Sequence, residues 1–179
     1  MGILKVSKLG NPVLRRKSDP VDPREIVEQD FQHLIDDMIE TMREYDGVGL
    51  AAPQVHVPKQ IAVIEAKGSA RYPDSPDIPL LVLINPAVVS MSKDKREGWE
   101  GCLSVDNLSG RVPRSTRMEV KALDRHGKEI HLDASGFLAV VLQHEIDHLM
   151  GHVYLDRMSD LSTLAHMREF YRYWIKEEG

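Results

Sequence analysis

The chain has 179 residues, 42% of them hydrophobic and 28% charged, with a formal net charge of −5. That length suits one domain over residues 1–179, burying roughly 70% of its unfolded surface, and the acidic balance excludes a nucleic-acid clamp, so DNA is not an expected partner. A single cysteine, Cys102, excludes an internal disulfide; no apolar run approaches the ~20 residues a membrane helix needs; and Met1–Ser7 is too poor in apolar residues for a secretory signal, so the expected location is the cytoplasm.

In chain order, residues 10–24 read as loop, punctuated by Gly10-Asn11-Pro12, Asp19-Pro20 and Asp22-Pro23. Phe31, Leu34, Ile35, Met38, Ile39 and Met42 recur at helical spacing and predict a helix over 24–45. Gly47-Val48-Gly49-Leu50-Ala51-Ala52 satisfies a dinucleotide-binding pattern. That pattern needs a strand before it and a helix after it, whereas here a helix precedes and Pro53 follows. Two readings remain: a tight turn of small residues packed under a strand, or a substrate wall of exposed glycine backbone with Gln54 aimed at a site. Gln60–Glu65 and Leu80–Ile84 read as buried strands separated by a loop with Pro73, Pro76 and Pro79. Cys102 lies within Glu100-Gly101-Cys102-Leu103-Ser104, read as a second loop. Met118–Leu123 and Glu129–Leu132 flank Asp124-Arg125-His126-Gly127 as a hairpin. A helix apolar nearly all round is predicted over 136–150, with Ser135 as N-cap and Gly151 as stop, and a last helix over 160–176. Strands and helices mix without βαβ alternation, so the predicted class is α+β, with mixed and antiparallel strands packed around the buried helix.

That buried helix carries His144-Glu145-Ile146-Asp147-His148. Residues four apart on a helix differ by about 40° of rotation and about 6 Å of rise, so both imidazoles reach one metal ion while Glu145 reaches a water on it. A catalytic metal usually has three protein ligands. One extended motif requires a histidine at position 154, which is Tyr154. Two candidates stand at this point: Glu169, about twenty residues downstream as in a zinc endopeptidase class, and Cys102, a soft ligand when deprotonated.

Gly47–Gln54, Glu100–Ser104 and Gln143–His148, in this order and spacing, resemble the three motifs of the peptide deformylase family, and the similarity spans nearly the whole chain. The resemblance implies a metal-dependent hydrolase that removes the formyl group from the N-formylmethionine of nascent polypeptides and releases formate. It makes Cys102, His144 and His148 the ligands of Fe2+, which Zn2+, Ni2+ or Co2+ replaces after purification. Glu145 becomes general base and acid to the metal-bound water, with the Gln54 amide and the Leu103 N–H as oxyanion donors. The backbone of Val48 and Gly49 would pair with the formyl-Met peptide, and an apolar pocket would hold the methionine. The family usually continues with Pro after Ser104-Val105. Here Asp106-Asn107-Leu108-Ser109-Gly110 follows, which places the rim contacts in question. Arg114 matches a family arginine, with Asp46 as candidate partner; as a surface pair the two would contribute about 0–1 kcal/mol. On the last helix Leu164, Met167, Tyr171 and Trp174 form an apolar stripe, and Arg168, Arg172 and Lys176 a basic one. An ordinary amphipathic helix is the favoured reading; the resemblance adds the ribosome near its tunnel exit as a partner.

Overall fold

The computed structural model describes residues 2–67 and 76–175. Helix α1 spans Gln29–Glu44, followed by strands β1 (Gly49–Ala51), β2 (Ile61–Ala66), β3 (Ile78–Met91), β4 (Lys95–Cys102), β5 (Val105–Ser115), β6 (Arg117–Leu123) and β7 (Glu129–Ser135). Helix α2 (Gly136–Leu149), the short strand β8 (Ala165–His166) and helix α3 (Met167–Tyr173) complete the order. One sheet runs β1-β2-β3-β6-β7 and a second β4-β5-β8. All their pairings are antiparallel; among the described residues the parallel contact is an isolated bridge, Asp19–Lys59. The α+β expectation holds. No helix among the described residues is long and apolar enough to cross a membrane.

Period-two alternation explains the continuous apolar run of β2. Ile61 and Val63 face one core with Leu50, Ile84 and the α1 residues Ile35, Met38 and Met42. Ile64 faces a second core with Leu83, Met118, Val120 and the α2 residues Ala139, Val141, Leu142 and Ile146. The five-stranded sheet is therefore sandwiched between α1 and α2. Each fully buried Ile, Leu or Met side chain contributes roughly 1.5–3 kcal/mol. Helix α2 is held by this packing rather than by its cap: Ser135 stands at the N-cap in extended conformation but makes no side-chain cap bond.

Several boundaries differ from the sequence-based expectation. Helix α1 begins at Gln29, because Asp22 accepts from Arg24 N–H and the chain makes separate Pro23–Ile26 and Glu25–Glu28 turns first. Strand β3 is far longer than Leu80–Ile84 and includes Pro79, whose missing donor falls where the β2–β3 register shifts; Pro73 lies outside the described residues. Residues 95–115, of which the sequence reading makes only Glu100–Ser104 a loop and gives the rest no element, form the β4–β5 hairpin despite Gly98, Gly101, Gly110 and Pro113. The last helix is α3 alone. Asp160 caps a separate turn, accepting from Ser162 N–H at 2.8 Å, and His166 and Ala165 pair with Leu108 and Ser109 of β5, which draws the chain out of helical conformation. Lys176 lies outside the described residues.

Gly151 ends the region of α2 with φ +80°, and a Cβ there would stand 2.7 Å from the Arg15 carbonyl oxygen. Gly151→Ala therefore combines left-handed strain with a backbone clash. It is expected to lower stability by about 2–4 kcal/mol in urea denaturation; a wild-type midpoint would show that the α2 terminus relaxes freely.

Candidate metal centre

Helix α2 presents His144, Glu145 and His148 toward Cys102 at the end of β4, and one donor atom from each of Cys102, His144 and His148 lies within 4.8 Å of the others. Cys102 Sγ is 3.3 Å from His148 Nε2. Two ligands on one tetrahedral ion, at bond lengths of about 2.0–2.3 Å, sit about 3.4–3.6 Å apart. The donor set fits: two imidazoles and a thiolate suit a borderline divalent ion. Glu169 is exposed on α3 and outside the cluster. Cys102 and Gln54, placed on loops by the sequence reading, instead end a strand and sit in the 3-10 turn Ala52–Val55.

A ladder of buried charges orients this centre. His144 Nδ1 lies 2.8 Å from Glu100 Oε2, which fixes the ring and leaves Nε2 for the cluster. Arg114 donates from Nε and Nη2 to Glu100 (2.7 and 3.0 Å) and from Nη1 to Asp147 (2.6 Å). The three side chains are only 5%, 6% and 11% exposed. Arg157 closes the far side, donating to Asp147 Oδ1 at 2.7 Å. Arg114 thus does not pair with Asp46, which stands exposed at φ +51° just after α1, and the surface-pair expectation is overturned. The reason is topological: Arg114 lies opposite Arg96 in the β4–β5 ladder, on the face that packs toward α2, where a guanidinium needs buried carboxylates. Glu100 and Asp147 were in view as motif residues without roles. The signals were present: Glu100 shares a strand face with Cys102 two residues on, and Asp147 lies one helical turn after His144. Arg157 carried no such signal. Gln143 adds a second tie, bonding Ser115 N–H and C=O of β5 at 3.0 and 2.9 Å.

The surroundings of Glu145 are shaped by glycine. A Cβ at Gly49 would lie 2.7 Å from the Glu145 Cδ, and one at Gly47 would press on Leu103 Cδ1 at 3.0 Å. Glu145 is 3% exposed; its Oε2, like His148 Nδ1, is buried without a hydrogen-bond partner. Burial pushes its pKa up to about 7, against the lowering effect of His144 and His148. Burial would also raise the Cys102 thiol, but His148 and His144 beside it outweigh this and hold it well below the usual thiol range. His144 is raised well above the usual imidazole range: burial opposes this, and Cys102 and Glu100 override it. The two imidazoles thus favour the thiolate form that a metal requires.

Gln54 is 1% exposed, its Oε1 accepting from Ala51 N–H at 2.8 Å while Nε2 points to Ser104 Oγ (3.2 Å) and Cys102 Sγ (3.5 Å). Leu103 follows Cys102 into the same pocket, whose walls include Val48, Gly49, Phe137 and Val140. Among the described residues β1 and β4 are each the terminal strand of their sheets, so the pocket opens between two sheet edges. Asp106 pairs with Lys8, and Asn107 adopts φ +58° in the bulge where the register shifts between Gly101 and Cys102. The departure from the family pattern thus lies directly beside the site.

Removing Arg114 leaves two buried carboxylates unpaired. Arg114→Met is expected to cost about 3–5 kcal/mol in chemical denaturation and to weaken metal retention about 10- to 100-fold in chelator competition. Unchanged metal retention would show that Glu100 holds His144 without help.

The sequence matches the polypeptide deformylase family over residues 3–163. A peptide deformylase of Leptospira biflexa is 43% identical over 167 residues, covering 93% of both chains. The class I type b peptide deformylase of Acinetobacter baumannii bound to Met-Ala-Ser superposes with a TM-score of 0.85 at 36% identity, covering 87% of this chain and 98% of that one. Its actinonin-bound form gives 0.80 at 35%, covering 88% and 99%. The chain belongs to the polypeptide deformylase family and is, with it, a metal-dependent hydrolase.

Proposed function

We propose that the protein removes the formyl group from N-formylmethionine at the start of nascent polypeptides in the cytoplasm, with Cys102, His144 and His148 holding Fe2+. The observation that carries this reading is the convergence of these three donors beside a buried carboxylate, between two sheet edges. When bound, the ion supplies Lewis acidity, lowering the pKa of a water and polarising the formyl carbonyl. Zn2+, Ni2+ or Co2+ would occupy the same donors.

Glu145 takes the water's proton and delivers it to the amine as the formyl C–N bond breaks, releasing formate and a free methionine amino group. A pKa near 7 suits a group that must accept and then return a proton near neutrality. The Gln54 amide, locked through its oxygen to Ala51 N–H, and the Leu103 backbone N–H stabilise the developing oxyanion; losing one such donor costs about 100- to 1,000-fold in rate. The backbone at Val48 and Gly49, on the β1 edge, pairs with the peptide as an added strand. The apolar wall from Val48, Phe137 and Val140 receives the methionine side chain. For the C-terminal segment, Arg168 and Arg172 are exposed as a ribosome contact would need, but the packing of α3 on Trp99 favours a role at the substrate groove.

Formate release from formyl-Met-Ala-Ser should stop on chelation. Glu145→Gln should retain metal and lose about 100- to 10,000-fold in kcat. A Glu145→Gln enzyme turning over at the wild-type rate would overturn the proton-transfer role.

A further inference from the structure

Strand β4 turns two faces to two different tasks. Glu100 and Cys102 point toward α2, so Trp99 and Gly101 share the opposite face. Trp99 is nonetheless part of the metal pocket's wall, with Leu103, Phe137 and Val140. Its indole is gripped from outside by α3 and the residue that caps it: the Phe170 ring centroid lies 4.8 Å away at 57°, and that of Trp174, just past the helix, 5.3 Å away at 54°. Both are tilted geometries favoured between aromatic rings.

The helix that does this has no buried residue of its own. It is moored by the β8–β5 pairing, by Ser109 Oγ on Met167 Sδ at 2.9 Å, and by the Trp99 cluster. From the metal pocket a groove of about 920 Å³ continues past Trp99 and Phe137 to a wall made by Met167, Phe170, Tyr171 and Ile175 of the α3 segment. Tyr171 and Ile175 are each 49% exposed, leaving apolar surface in water along a groove that is continuous with the metal site. Apolar surface gathered along one concave groove, rather than scattered singly, is what marks a ligand-binding face.

The reach of a bound peptide matches this groove. An extended chain advances about 3.3 Å per residue, and Trp99 lies three residues along β4 from Cys102, roughly 10 Å. With the formyl group at the Cys102 end, the second and third residues of the substrate pass Trp99 and α3. We propose that Trp99 is a specificity-determining residue that contacts an apolar, preferably aromatic, side chain at position 2 or 3 of the formyl-methionyl peptide. Phe170 and Trp174 are positioning residues that hold its indole in place. The inference rests on the deformylase reading and adds a substrate preference to it.

The test is steady-state formate release by the metal-loaded full chain from formyl-Met-Ala-Ser, formyl-Met-Phe-Ser and formyl-Met-Ala-Phe. Wild type should show a KM about 5–10-fold lower for at least one phenylalanine peptide than for the alanine peptide, the size expected of one good aromatic contact. Phe170→Ala and Trp174→Ala should bring that ratio close to one, with KM moving more than kcat, and Trp99→Phe should retain more of the preference than Trp99→Ala. Thermal melting of the variants near the wild-type temperature separates a loosened wall from a loosened fold. A wild-type enzyme that releases formate equally well from all three peptides overturns the inference alone, as does a preference that survives in Phe170→Ala, Trp174→Ala and Trp99→Ala. A wild-type enzyme that releases none from any of them overturns the deformylase reading beneath it.

Discussion

The buried guanidinium of Arg114 is the interaction on which the site depends. A catalytic metal needs ligands from elements that fold separately, here the end of β4 and the middle of α2, and something rigid must set their separation. Arg114 does so from β5, one hand on Glu100 of β4 and the other on Asp147 of α2. Three charges are removed from water to build this, a costly arrangement unless all are paired. They are: Glu100 is held by Arg114 and His144, Asp147 by Arg114 and Arg157. The ladder is therefore both the mortar between the two sheets' worth of structure and the device that aims His144.

The surrounding packing serves the same end. Leu142 and Ile146 pin α2 to the five-stranded sheet, while its next face carries the donors. Gly49 permits the closest approach of β1 to Glu145, so the edge strand proposed to bind the peptide and the carboxylate proposed to move its proton are built against one another. A side chain at position 49 would separate them. This crowding gives the glycines of the dinucleotide-like pattern a steric reason at positions 47 and 49.

The local parts of this site were legible in the sequence because they are periodic. His144 and His148 at a spacing of four, on a helix apolar nearly all round, specify two donors on one buried helix, and α2 (Gly136–Leu149) ends one residue short of the expected 136–150. The hairpin at Asp124–Gly127 was legible through its turn residues; Asp124 accepts from His126 and Lys128 N–H and Gly127 supplies φ +76°. What depends on long-range pairing was not. The β4–β5 ladder forms through residues with poor strand propensity, so neither the strands nor the burial of Arg114 showed, and a surface pairing with Asp46 followed from that omission. The third donor stood between Cys102 and Glu169 on spacing alone, since nothing local ties β4 to α2. The C-terminal stripe was periodic enough to predict seventeen helical residues by its span of 160–176, but β5 captured Ala165 and His166 in a ladder that no local pattern announces.

The central claim is that Cys102 joins two imidazoles in one hydrolytic metal site. Anaerobic formate release with metal quantification, on wild type and Cys102→Ala, tests it most directly. About one equivalent of divalent metal with formate release in wild type, and loss of both in Cys102→Ala, is the expected result. Full metal content and activity in Cys102→Ala would contradict the account and place the third ligand elsewhere in the chain.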